Sequence, residues 1–181
     1  MNEQTILTPA AALTAAAALL DQCRAFVRAV PSAAYTAPCP LMFDATIGQH
    51  VRHALDHFAA ALSAIDGATI DYDHRQRDTA IERDPAEAAR AIDALIAALR
   101  AVPPAGASRA VAIRVMLSGA GDECELGSTL AREIAFATHH AVHHHAMMAT
   151  IARSIGAQVP PGFGKAPSTI DHERRGATAR A

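Results

Sequence analysis

Two segments rich in histidine carry the residues that could do chemistry. His53 lies in TIGQHVRHALDHF, and His140 and His144 lie in ATHHAVHHHAMM, almost half the chain away. Both segments read as helix. An i, i+4 pair projects from one helical face, the spacing by which a helix offers two nitrogens to one ion. His53 would supply the third nitrogen from a second helix. Three protein ligands leave positions open for water or substrate, the arrangement of a catalytic metal site. The competing reading is a set of core histidines satisfied by hydrogen bonds. Burying several imidazoles without an ion requires a separate partner for every ring nitrogen, which favours the ion.

Helical register sorts the remaining histidines, at about 100° per residue. In the first segment Ile47, Val51, Ala54, Phe58, Leu62 and Ile65 make an apolar stripe flanked by His50, His53 and His57, with Arg52 and Asp56 facing away. In the second the stripe is Leu130, Ala137, Ala141, Met148, Ile151 and Ile155. His140 and His144 fall inside it, whereas His139 and His143 drift toward solvent. His57, one turn after His53, is open to three roles: ligand, base or rim residue. Glu133 lies two turns before His140 on about the same face, where it could orient a ligand or accept a proton. These two are the catalytic candidates. His50, His139, His143 and His145 read as surface or supporting residues.

The elements that must position these side chains follow from caps and breakers. A first helix is predicted from about Pro9 to Val30, stopped by Pro31. After a loop from Ser32 to Asp44, a second starts at Thr46, where Gln49 completes a capping box, and runs to about Ile65. The polar stretch Ala68 to Arg83 reads as a long surface loop. Asp84-Pro85-Ala86-Glu87 starts a third helix that reaches about Val102 and is closed by Pro103-Pro104. VAIRVML reads as one strand of a short hairpin turning at Gly119 to Gly121. A fourth helix runs from Ser128 or Thr129 to about Ile155, followed by a Pro- and Gly-rich exit.

Composition agrees with a helical protein. At 181 residues the chain fits one domain, and such a domain buries roughly 70% of its unfolded surface. It is 51% apolar with 4% aromatics and no tryptophan, which suits packed helices. The expected class is therefore all-α, a four-helix bundle with a short β-hairpin between the third and fourth helices. The domain is placed at residues 1–160, with residues 161–181 as a partly disordered C-terminal extension.

Sixteen basic against eighteen acidic residues, with no basic block, give no nucleic-acid surface. The apolar stretch Pro9 to Leu20 is too short to span a bilayer and follows Glu3 without a positive flank, so no membrane association is expected. Cys23, Cys39 and Cys124 are scattered without CxxC spacing, which points to a reducing cytoplasm. Ala141 follows His140, so no H-E-x-x-H is present and peptide hydrolysis is disfavoured. No phosphate-binding Gly loop, G-x-S-x-G elbow or pair of E-x-x-H motifs occurs.

TIGQHVRHALDHF, then HAVHHHAMMATIARSIG with PP and GFG following, resembles the DinB/YfiT-like superfamily of metal-binding four-helix bundles. The likeness covers most of the chain. In that family a histidine about seven residues past a Ser/Thr helix start is one ligand, matched here by His53 after Thr46. H-x-x-x-H, then an arginine and a glycine, is matched by His140, His144, Arg153 and Gly156. His145-Ala146-Met147 stands where many members carry Arg-Gly-Gln. The resemblance implies one divalent ion (zinc, nickel or iron) on three histidines, often in a homodimer. Characterised relatives include transferases and isomerases that use low-molecular-weight thiols.

Two functions follow as expectations. One is a metalloenzyme acting on a small-molecule substrate, transferring a small thiol to an electrophile or acting in a hydrolase-like manner. The other is a non-catalytic metal-binding or stress-response bundle that works through dimerisation or partner binding.

Overall fold

The computed structural model describes residues 6–178. Four long helices supply most of the core: α1 (Ala11–Ala29), α3 (Ile47–Ser63), α5 (Pro85–Ala101) and α6 (Leu130–Ser154). Three shorter ones are α2 (Ser32–Tyr35), α4 (Ala80–Arg83) and α7 (Pro167–Thr178). Strands β1 (Ile70–Asp71), β2 (Ala110–Met116) and β3 (Glu123–Thr129) form one mixed sheet in the order β1-β2-β3.

Each long helix begins and ends where local chemistry dictates. Thr46 caps α3 through a full box, its hydroxyl accepting from the Gln49 amide at 3.1 Å while the Gln49 side chain accepts from the Thr46 amide at 3.0 Å. Asp84 caps α5 by accepting from the Ala86 amide at 2.7 Å, with Pro85 in the first turn. Thr129 ends β3 and caps α6 through the Arg132 amide, so strand and helix are continuous. Val30 turns extended before Pro31 and ends α1.

The helices pack through periodic apolar faces. Leu13, Ala16, Leu20, Cys23, Phe26 and Val27 bury one side of α1 against α5 and α6. Ile47, Val51, Ala54, Phe58 and Ala61 bury one side of α3, which lies against α6. On α6 the fully buried Ala137, Ala141 and Ala152 alternate with the larger Leu130, Ile134, Met148 and Ile151. Ile65 and Ile155, at the ends of the two predicted stripes, are instead partly exposed beyond the helix ends. Among the described residues no helix is long and apolar enough to cross a membrane.

The expectation of an all-α four-helix bundle is corrected by this architecture, which is an α/β fold of seven helices and a three-stranded mixed sheet among the described residues. All of VAIRVML but its last residue, Leu117, lies in β2, whose register with β3 runs from Ala110 opposite Thr129 to Met116 opposite Glu123. β1 adds to the other edge of β2 in parallel, Ile70 opposite Ile113. The chain must cross over through α4 and α5 to make that parallel pair. Ala64, Ile70, Tyr72 and Ile113 form a small apolar cluster of their own.

The stretch from Ala68 to Arg83 is therefore not a plain surface loop. It contributes β1, a buried Tyr72, and α4 with a buried Glu82. Arg52 is also buried rather than facing away, because Glu82 and Asp56 accept from it at 2.9 and 2.7 Å. Beyond α6, Phe163 belongs to the main core and stacks on Phe26 with ring centroids 4.4 Å apart. Much of the segment read as an extension forms α7, which buries none of its described side chains.

Candidate metal centre

Helices α3 and α6 lie face to face, and their histidines meet where the two apolar stripes run together. His53, His57 and His140 place one ring nitrogen each within 4.8 Å of one another, close enough to hold a single metal ion. The Nε2 atoms of His53 and His140 are 3.0 Å apart. His144 adds its Nε2 at 3.1 Å from that of His140. Two imidazole nitrogens bound to one tetrahedral zinc at about 2.0–2.1 Å lie roughly 3.3 Å apart, so the His53–His140 separation fits a shared ion, while His144 stands outside the trio whose nitrogens all lie within 4.8 Å of one another.

The protonation state of the rings suits the same role. Burial pushes His53 down to about 3, helped by the cations Arg75 and Arg52 and by neighbouring histidines. Burial likewise takes His140 down to about 4 and His144 to about 2. Neutral imidazoles are the form that binds metal. Nε2 of His140 faces two other ring nitrogens at hydrogen-bond distance, and a neutral ring has only one N–H to offer. A single ion bound there would engage all three nitrogens at once.

The ring orientations have identifiable causes. Nδ1 of His57 lies 3.0 Å from the main-chain carbonyl of His53 and must donate to it, which leaves Nε2 as the free lone pair. His57 is sandwiched between His140, with centroids 3.9 Å apart, and Tyr72, at 5.1 Å. Phe136 extends this aromatic wall, 5.3 Å from Tyr72 and 6.0 Å from His140, and carries the Arg132 guanidinium over its face. His144 has its Nδ1 2.9 Å from Nδ1 of His50.

Glu133 does not reach the cluster. It is fully buried and occupied by three donors: Tyr72 Oη at 2.8 Å, Arg132 at 2.8 Å and the Ser128 hydroxyl. Its place is behind His57, holding the Tyr72 ring that stacks there. His139 and His143 are exposed. His50 borders the site rather than the surface alone. His145, on another side of α6 from the cluster, is buried with both ring nitrogens unpartnered and stacks on Phe163.

Tyr72 and Arg75 are the residues the sequence reading passed over. Their segment, DYDHRQRD, is polar, and its only signal was one aromatic residue among charges. Arg75 donates to the Tyr72 carbonyl at 2.7 Å, beside the cluster. A cleft of about 390 Å³ opens onto His50, His53 and His144, walled by Gln49, Arg52, Arg75, Arg77, Asp78 and Glu82. This is the solvent side of the site.

No family model matches the chain, and no solved structure matches it. A stretch of 48 residues is 40% identical to FK506-binding protein 5 of Rhizopus delemar, amounting to 26% of this chain and 12% of that protein. The chain thus spans only a small part of that relative's length, and so short a match shows no shared family.

Proposed function

We propose that the protein is a divalent-metal-dependent enzyme whose ion is held by His53, His140 and His144, with His57 beside them offering a further nitrogen. The observation that carries this reading is the approach of His53 and His144 to the single Nε2 of His140, at 3.0 and 3.1 Å. The resemblance of the H-x-x-x-H segment to the DinB family supports the same three residues.

Zinc, nickel or iron on three neutral nitrogens would supply a Lewis-acid position that lowers the pKa of a coordinated water or thiol. The protein's own contribution is positional. The His57 bond to the His53 carbonyl and the Tyr72–Glu133 pair fix the rear of the site. The cleft admits a small molecule on the side of His53 and His144. Transfer of a low-molecular-weight thiol to a small electrophile is the specific reaction we propose, a reading that rests on the DinB resemblance.

A panel of small thiols with electrophilic acceptors tests it on untagged protein. Turnover that disappears on chelation and returns with metal is expected. Metal-loaded protein that turns over no pair in the panel would contradict the transferase reading.

A further inference from the structure

The cleft beside the histidines is lined by three arginines, and the carboxylates around it engage them unequally. Of its charged lining, Arg52, Arg75 and Arg77 stand against Asp78 and Glu82. Arg52 and Glu82 satisfy each other at 2.9 Å, and Arg52 also pairs with Asp56 at 2.7 Å. Glu82 further accepts from the Asp78 amide at 3.0 Å. That buried pair is structural.

Arg75 is different. It is anchored by one donor on the Tyr72 carbonyl, while its Nε is buried without a hydrogen-bond partner and lies 4.0 Å from the Asp56 carboxylate. Arg77 is exposed at the rim and makes no ion pair among the described residues. Asp78, also exposed, is the one acidic group of the lining that Arg52 does not engage.

We infer that Arg75 and Arg77 form an oxyanion subsite, a place for a carboxylate or phosphate group of the substrate at the mouth of the cleft lined by His53 and His144. Arginine suits this role because its planar donors match both groups bidentately. The field of Arg75 reaches the cluster, because its guanidinium donates to the carbonyl of Tyr72, whose ring stacks on His57. A divalent ion on neutral ligands would add to that field, so an anionic substrate would be drawn to the cleft and a cationic one repelled. The inference deepens the metalloenzyme reading by naming the class of molecule the site takes, and to that extent rests on it.

Calorimetric titration of zinc-loaded, untagged protein at low salt tests the subsite, with zinc content measured on every sample. Inorganic phosphate and succinate are the probes, and succinamide is the neutral control. At least one oxyanion is expected to bind about tenfold more tightly than succinamide, and Arg75→Gln and Arg77→Gln are each expected to weaken it about tenfold at unchanged zinc content. Which probe binds tells a carboxylate site from a phosphate site. Stoichiometric zinc with no preference for either oxyanion, or with affinity unaltered in both variants, overturns the subsite and leaves the metal reading standing. Zinc that fails to load overturns the metal reading, and the same titration of the zinc-free protein then judges the arginines alone, with the same loss in the variants expected.

Discussion

His57 donates its Nδ1 proton to the main-chain carbonyl of His53, one helical turn earlier, at 3.0 Å. The bond ties a site residue to the backbone of another and fixes the tautomer, so that Nε2 is the nitrogen left toward His140 and His53. In metal-free protein at pH 7, nitrogen-15 correlation spectra are expected to show His57 neutral and protonated at Nδ1. A His57 signal of the Nε2-protonated form would contradict this orientation.

Tyr72 serves His57 in two separable ways, through its ring and through its hydroxyl. Tyr72→Phe keeps the stack on His57 but leaves the buried Glu133 carboxylate with one donor fewer. A loss of about 1–3 kcal/mol of stability is expected in denaturant melts, with metal content unchanged. Loss of metal in Tyr72→Phe would instead assign the hydroxyl a direct part in the site.

Gly48 sits where α3 meets α4. A Cβ there would fall 2.0 Å from the Glu82 carbonyl oxygen and 2.7 Å from the Tyr35 ring. Gly48→Ala must push α4 away, disturbing both the Tyr35 bond to the Ile81 carbonyl and the Arg52–Glu82 pair. Destabilisation of about 1–3 kcal/mol is expected by thermal melting. A variant as stable as wild type would show that the α3–α4 contact is looser than described.

His145 gives the fold a dependence on pH that is separate from the cluster. Burial pushes it down to about 3, and neither ring nitrogen has a partner. Between that value and its ordinary value of 6.5 the unfolded chain binds a proton that the folded protein excludes, so stability is full above about pH 6.5 and falls as pH drops toward 3. By pH 5 the cost from this residue is about 2 kcal/mol. His145→Phe is expected to flatten the slope of stability against pH between 7 and 5 by about one proton's worth. An unchanged slope would contradict its burial as a neutral ring.

The histidines of the site were legible because helices repeat every 3.6 residues. Register favoured His140 and His144 over His139 and His143 and set His50, His53 and His57 along one flank, the DinB resemblance selected His53, and the capping box at Thr46 located the helix that carries it. His57 was left among three roles because a residue at a stripe edge has its surroundings set by whatever packs there, here Tyr72. β1 has only two residues, too few for a period to show, and its parallel pairing with β2 depends on a crossover that no local pattern records. That is why an all-α reading failed. Glu133 was read as able to orient a ligand or accept a proton, but its donors Tyr72 and Ser128 come from outside α6 and could not be read from helical spacing. His145 was read as a surface or supporting residue and is instead buried, because Phe163, which covers it, follows a Pro- and Gly-rich exit whose path is set by tertiary packing.

Metal content is the most direct measure of the central claim. Protein purified without a histidine tag and dialysed against a metal-buffered solution is expected to retain one divalent ion per chain. His53→Ala and His140→Ala are each expected to lose it while keeping the wild-type far-ultraviolet circular dichroism. Wild type and both variants carrying equally little metal, or equally much, would contradict a metal centre at His53 and His140.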